Sequence, residues 1–174
     1  MKKLTIEQLG RVDLNTYRSL SKLPLVVVLD NVRSLHNVGS VFRTSDAFCI
    51  EKIVLCGITA TPPSAEIHKT ALGAEDSVAW HYCADTLQAA QALKAEGYEL
   101  WAVEQVEGSV DLAHFKVEPH KKYALILGNE VKGVQQSVVD VCDGAIEIAQ
   151  YGTKHSLNVS VTAGIVLYTL SSQF

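Results

Sequence analysis

The apolar positions of the chain fall into short runs and stripes whose spacing predicts strands alternating with helices. Residues 25–29 form an unbroken apolar run rich in valine, the pattern of a strand buried on both faces of a parallel sheet. Further strands are expected at 52–56, 78–82, 98–103 and 123–127, with a last one at 144–148. Helical patterns lie between them. Asn37 is expected to cap a helix reaching residue 48 with Val38, Val41 and Phe42 inward. Thr61-Pro62-Pro63 breaks the chain, and 64–70 makes one or two turns leading into Leu72-Gly73-Ala74-Glu75. Residues 86–96 carry Leu87, Ala90 and Leu93 on one face and end at Gly97. A short helix is expected near 134–139. Before all of these, Thr5-x-x-Gln8 fits a capping box that opens a short helical piece, and a second piece over 13–20 stops ahead of Pro24.

The last helix, from about Asn158, differs from the others. Val159, Ala163, Val166 and Leu170 make one apolar stripe, while Val161, Ile165 and Tyr168 make a second. A helix apolar on two faces buries one on its own sheet and the other on something else, for which a partner subunit is the economical candidate. Strand and helix alternating throughout predict one domain: an open, mostly parallel α/β sheet with helices on both faces. Ligands of such sheets sit beyond the carboxyl ends of the strands. Three polar, glycine-bearing loops fall there: 30–39, 128–133 and 152–158.

Composition narrows the class. With 174 residues, 48% hydrophobic and 20% charged, the chain suits an ordinary globular domain. The apolar run Leu23-Pro24-Leu25-Val26-Val27-Val28-Leu29 stops at Asp30, short of a membrane span. Lys2 and Lys3 precede Leu4-Thr5-Ile6-Glu7, which is no secretory signal, so a cytoplasmic location is expected. Cys49, Cys56, Cys83 and Cys142 show no paired spacing and read as reduced structural thiols; the six histidines show no ligand spacing, and no metal is expected. Net charge is −4, which speaks against a nucleic-acid partner. The charge is uneven, however: residues 1–22 hold five cations against Glu7 and Asp13. They are either a solvated face or a short basic arm that docks RNA.

Arg43 follows Gly39 by four residues on one helix face, so its side chain leans back over a residue without Cβ, leaving room for a phosphate or ribose. The alternative is a structural ion pair, with Asp46 or a partner-chain carboxylate. Gly128-Asn129-Glu130, followed by Gly133, ends a buried strand; glycines there admit a ligand to the backbone, or the segment is a plain turn with a surface glutamate. Ser156 and Asn158 offer polar groups at a helix start, or serve only as caps. A glycine-rich dinucleotide turn is absent, which speaks against a nicotinamide enzyme.

Asn37-x-Gly39-x-x-x-Arg43, Gly128-Asn129-Glu130-x-x-Gly133 and Gly152-x-x-x-Ser156-Leu157-Asn158-Val159-Ser160, in this order and at these distances, closely resemble the three motifs of SpoU (TrmH-type) RNA 2′-O-ribose methyltransferases. The resemblance covers about 25–170, and 68–74 also looks familial. It implies a SPOUT-superfamily fold with a C-terminal trefoil knot over 23–174, a homodimer, and S-adenosylmethionine as cofactor. It further implies that Arg43 grips RNA phosphate or activates the 2′-hydroxyl, with Asn37, Glu130, Ser156 and Asn158 orienting the reacting groups. Leu127, Gly128, Ile148 and Leu157 would hold the cofactor, largely through backbone. One departure is Ala149, where the family usually has proline. The short N-terminal arm, by resemblance to minimal family members, favours tRNA over rRNA. The rival expectation is a non-catalytic RNA-binding dimer on the same fold.

Overall fold

The computed structural model describes residues 1–5 and 7–174. The reading of Leu4-Thr5-Ile6-Glu7 as no secretory signal includes Ile6, which lies outside the described residues.

The capping box forms on a short 3₁₀ turn, Glu7–Leu9. Thr5 N–H donates to Gln8 Oε1 at 3.0 Å and Gln8 N–H to Thr5 Oγ1 at 3.4 Å, the reciprocal pairing that satisfies two orphan donors. Helix α1 (Leu14–Ser19) follows and is docked rather than free. Tyr17 is buried and donates its hydroxyl to Asp46 O, and Arg18 Nη2 donates to Asp76 O at 2.7 Å.

Seven strands form one sheet: β1 (Leu23–Asp30), β2 (Ile50–Cys56), β3 (Ala79–Cys83), β4 (Tyr98–Val103), β5 (Val110–Asp111), β6 (Lys122–Leu127) and β7 (Gly144–Glu147). Their order is β3-β2-β1-β6-β4-β7-β5, and every strand pairing among the described residues is parallel. The predicted strands are all present. β2 starts two residues before the expected 52, because Ile50 also pairs with Leu23. β3 is displaced by one residue from 78–82, since Val78 caps a preceding helical turn. The two-residue edge strand β5 was not expected.

β1 lies inside the sheet, and its alternate side chains serve two cores. Leu25, Val27 and Leu29 join the layer built with α2 (Leu35–Ala47), α3 (Ala65–Ala71) and α7 (Val159–Ser171). Val26 and Val28 join the opposite layer, with α5 (Thr86–Ala95) and α6 (Gln136–Val139). This explains why the run reads as continuously apolar. A short helix, α4 (Ala74–Ser77), closes the end of α2.

α2 begins earlier than expected. Ser34 is its cap, with Asn37 N–H donating to Ser34 Oγ at 3.3 Å, so Asn37 sits in the first turn with its carboxamide free for other partners. The glycine at 39 also serves another purpose than the expected ligand space. A Cβ there would collide with Ile67 O and Thr70 Oγ1, so the missing side chain lets α3 close onto α2. On α7, Val159, Ala163, Val166 and Leu170 are buried as the first stripe requires, while Val161, Ile165 and Tyr168 are 50%, 37% and 65% exposed.

Candidate active site

Beyond the carboxyl ends of β4, β6 and β7 the loops enclose a cleft of about 600 Å³. Leu127, Gly128, Ile148 and Leu157 all line it, together with Glu130, Ser156 and Asn158. Val103 and Ile146 add apolar wall, and Glu104 and Glu147 add carboxylates. A cleft of this size, with an apolar wall and an otherwise polar lining, suits a small molecule that is itself part apolar and part polar.

Glu130 organises the rim. Its carboxylate accepts from Arg33 N–H at 2.9 Å, Ser34 N–H at 3.0 Å and Asn37 Nδ2 at 3.0 Å. These are the free donors around the start of α2, where a negative group is favoured. Burial alone raises the carboxyl, but the hydrogen bonds from Arg33, Ser34 and Asn37 outweigh it and hold Glu130 below its ordinary value of 4.5. Asn37 Oδ1 in turn accepts from Asn158 Nδ2 at 3.1 Å. Asn158 caps α7 by accepting from Ser160 N–H at 2.8 Å. One chain of hydrogen bonds therefore ties the three predicted loops together.

The 128–133 loop closes on itself. Asn129 and Gly133 exchange backbone hydrogen bonds at 3.1 and 2.9 Å, and Asn129 Nδ2 donates to Asn31 O at 2.7 Å. A Cβ on Gly128 would strike the backbone of Gly133 and Val134. Its glycine is thus required by the loop's own closure, where a ligand's approach was expected to require it. Gly133 has φ +68° and faces the Glu104 carboxylate. Beneath the loop, fully buried Asp30 accepts from Gln135 N–H at 2.9 Å, Gln135 Nε2 at 2.7 Å and Thr86 Oγ1 at 2.6 Å.

Arg43 and Asn37 do not line the cleft. Arg43 is exposed on α2 and has no salt bridge or side-chain hydrogen bond among the described residues. The Asp46 carboxylate instead accepts from Ser77 Oγ at 2.5 Å, so the intrachain alternative for Arg43 is not formed. Ser156 lines the cleft but its hydroxyl has no hydrogen bond among the described residues. Ala149, at the departure from the family pattern, is exposed and adjoins lining Ile148 and Gln150.

Sequence reasoning placed Asn129 in a motif without a role and passed over Glu104 and Gln105. Glu104 accepts from Val134 N–H at 3.0 Å and from Gln105 N–H at 2.8 Å, while Gln105 Nε2 donates to His155 O at 2.9 Å. The pair thereby braces the second and third loops against each other. Their signal was a Glu-Gln step directly after a predicted strand. The cysteines are unpaired among the described residues; burial pushes Cys56 up to about 12 and Cys142 to about 11, which keeps both as thiols. Among the described residues no group of three or more His, Cys, Asp or Glu is placed to hold a metal, and no helix is long and apolar enough to cross a membrane.

Comparison with known proteins agrees with this geometry. The chain is 31% identical over 150 residues to the 23S rRNA (guanosine-2′-O-)-methyltransferase RlmB of Neisseria meningitidis, covering 86% of this chain and 58% of that protein. It is 34% identical over 149 residues to RlmB of Nitrosomonas europaea, covering 86% and 56%. It therefore spans somewhat over half the length of these curated relatives. Among solved structures, the A. aeolicus TrmH/SpoU tRNA modifying enzyme superposes with TM-score 0.79 at 29% identity, covering 92% of this chain and 81% of that one. An AdoMet-bound rRNA methyltransferase from Sinorhizobium meliloti gives 0.78 at 28% identity, covering 88% and 58%. The profile of the SpoU rRNA Methylase family matches residues 24–168, most of the sheet and all three loops, and the chain belongs to that family.

Proposed function

We propose that this protein is a cytoplasmic methyltransferase that moves a methyl group from S-adenosylmethionine to a ribose 2′-hydroxyl of RNA. The observation that carries the reading is the Asn158–Asn37–Glu130 chain of hydrogen bonds, which joins three loops at the rim of one cleft. The cleft suits the cofactor. Its apolar wall at Val103, Leu127 and Ile146 fits an adenine, and the Glu147 carboxylate suits a cation. Backbone of Leu127, Gly128, Ile148 and Leu157 would hold the group, which supplies a methyl on a positively charged sulfonium.

The chain's own residues do the rest. Glu130 fixes the start of α2, and through Asn37 and Asn158 sets α2 against α7. Arg43, exposed and unpaired among the described residues, is free to meet RNA phosphate or the attacking hydroxyl; six residues beyond Asn37, it lies about 9 Å further along the helix. Ser156, at the cleft wall and without a side-chain hydrogen bond among the described residues, is free to orient ribose. The exposed Val161, Ile165 and Tyr168 stripe supports a homodimer in which a second copy covers α7. The C-terminal knot belongs to the same family reading. Of the cations in the 1–22 arm, Lys2, Lys3 and Arg11 are exposed and without an acidic partner among the described residues, which supports a share in RNA docking for the arm.

The names of the curated relatives favour rRNA over the tRNA preference drawn from the short arm. Mapping ribose methylations in total RNA with and without the protein tests both. Gain of a single site in rRNA or tRNA is expected. Cofactor binding without any new methylation would leave the non-catalytic RNA-binding reading in its place.

A further inference from the structure

Outside the cleft, the most conspicuous exposed ring belongs to Tyr151, which is 96% exposed and has no aromatic or hydrogen-bond partner among the described residues. Its position is specific. The chain lines the cleft at Gln150, leaves it through Tyr151, Gly152, Thr153 and Lys154, and rejoins it at His155. All four intervening residues are exposed, and the rejoining point is pinned by Gln105 on His155 O. The ring thus stands at the mouth on a short, anchored loop.

The loops of the cleft also carry cations. Lys52, Lys69, Lys94 and Lys121 are each paired with a carboxylate. Lys154 on the Tyr151 loop, Lys132 on the Glu130 loop, and Arg33, whose backbone N–H donates to Glu130, have no acidic partner among the described residues. Both oxygens of Glu130 and of Glu104 are engaged by backbone or carboxamide donors. In a chain of net charge −4, Lys132 on the cleft lining, Arg33 at the Glu130 rim and Lys154 on the Tyr151 loop are thus without acidic partners among the described residues.

Resting on the function proposed above, we propose that this mouth is a stacking platform for single-stranded RNA. A base beside the reacting nucleotide stacks on Tyr151, and Arg33, Lys132 and Lys154 hold the flanking phosphates. A ring takes any base on its face, and cations take the backbone, which is how unpaired strands are bound without a large domain. A second copy of the chain is the poorer occupant, because a two-fold contact through this patch sets like charges against each other.

The test uses a single-stranded RNA decamer with one 2-aminopurine, beside an abasic decamer of equal charge. Tyr151→Ala is expected to weaken the base-bearing decamer on the order of 10-fold and to abolish fluorescence quenching. The abasic decamer and S-adenosylmethionine should bind as before, and Tyr151→Phe should behave as wild type. Lys132→Ala and Lys154→Ala should each flatten the slope of log affinity against log salt by about 0.7. If wild type binds cofactor and decamer and Tyr151→Ala binds the decamer equally well, the platform is overturned and the methyltransferase reading stands. If wild type binds neither, both fall. If Tyr151→Ala lowers the sedimenting mass without altering decamer affinity, the ring faces a second copy and the platform is overturned.

Discussion

Asn158 and Asn37, 121 residues apart, meet across the rim of the cleft, with Asn158 Nδ2 donating to Asn37 Oδ1 at 3.1 Å. Their orientations are determined by Glu130, which as a carboxylate only accepts. Asn37 must turn its nitrogen to Glu130 and its oxygen to Asn158. Asn37→Asp is nearly the same shape, yet it sets a second carboxylate against Glu130. It is expected to destabilise the fold more than Asn37→Ala, by about 1–3 kcal/mol. Thermal unfolding of both variants at pH 7 checks this, and the reverse ranking would show that Glu130 is not ionised there.

Arg43→Ala should separate chemistry from folding. The side chain is exposed and makes no bond within the described chain, so its loss should leave the melting temperature and cofactor affinity nearly unchanged. Methyl transfer in a single turnover should fall on the order of 10²-fold, as for loss of one charged donor in the transition state. Near-native turnover would remove Arg43 from the proposed mechanism.

Glu130 predicts a pH signature. Its folded carboxyl lies below the ordinary 4.5, so ionised Glu130 contributes stability that is complete above that value. The contribution is lost as pH falls through the lower folded value. Glu130→Gln should therefore lie well below wild type in melting temperature at neutral pH, with the gap narrowing at pH values under 4.5. A gap constant from pH 7 into acid would mean that the carboxylate is not the anchor of α2.

Gly39→Ala tests a packing role. The added methyl meets Ile67 O and Thr70 Oγ1, and parting α2 from α3 should cost about 1–3 kcal/mol. Denaturant unfolding measures it. An unchanged midpoint, with activity alone reduced, would return Gly39 to the ligand-clearance role that spacing suggested.

Much of this architecture was legible because each face of the sheet imposes its own pattern. Val26 and Val28 pack against one helical layer, and Leu25, Val27 and Leu29 against the other, so the run had to be apolar at every position. Val110–Asp111 escaped because two residues carry no period. Ser34 and Asn37 are both good caps, and local sequence has no means of choosing between them. The distinction comes from Glu130, which claims the Asn37 carboxamide from 93 residues away. The motifs named the rim residues by family likeness, but their hydrogen bonds are long-range facts of the fold. Glu104 carries no such mark in the sequence, since the loop after β4 has no glycine before Gly108.

The position of β1 has a consequence for synthesis on the ribosome. One edge of this strand, buried from Leu25 to Asp30, finds β2 soon after it emerges, through Val26↔Lys52 and its neighbours. The other edge waits for β6, where Leu25 pairs with Tyr123 and Leu29 with Leu127. Until β6 has left the exit tunnel, the nascent chain presents an unpaired, valine-rich edge of the kind that recruits other strands. Expression yield should thus depend on how quickly residues 31–127 are translated and on chaperone supply during that interval. Slow codons before β6 should convert soluble protein into aggregate, whereas the same codons after β7 should not.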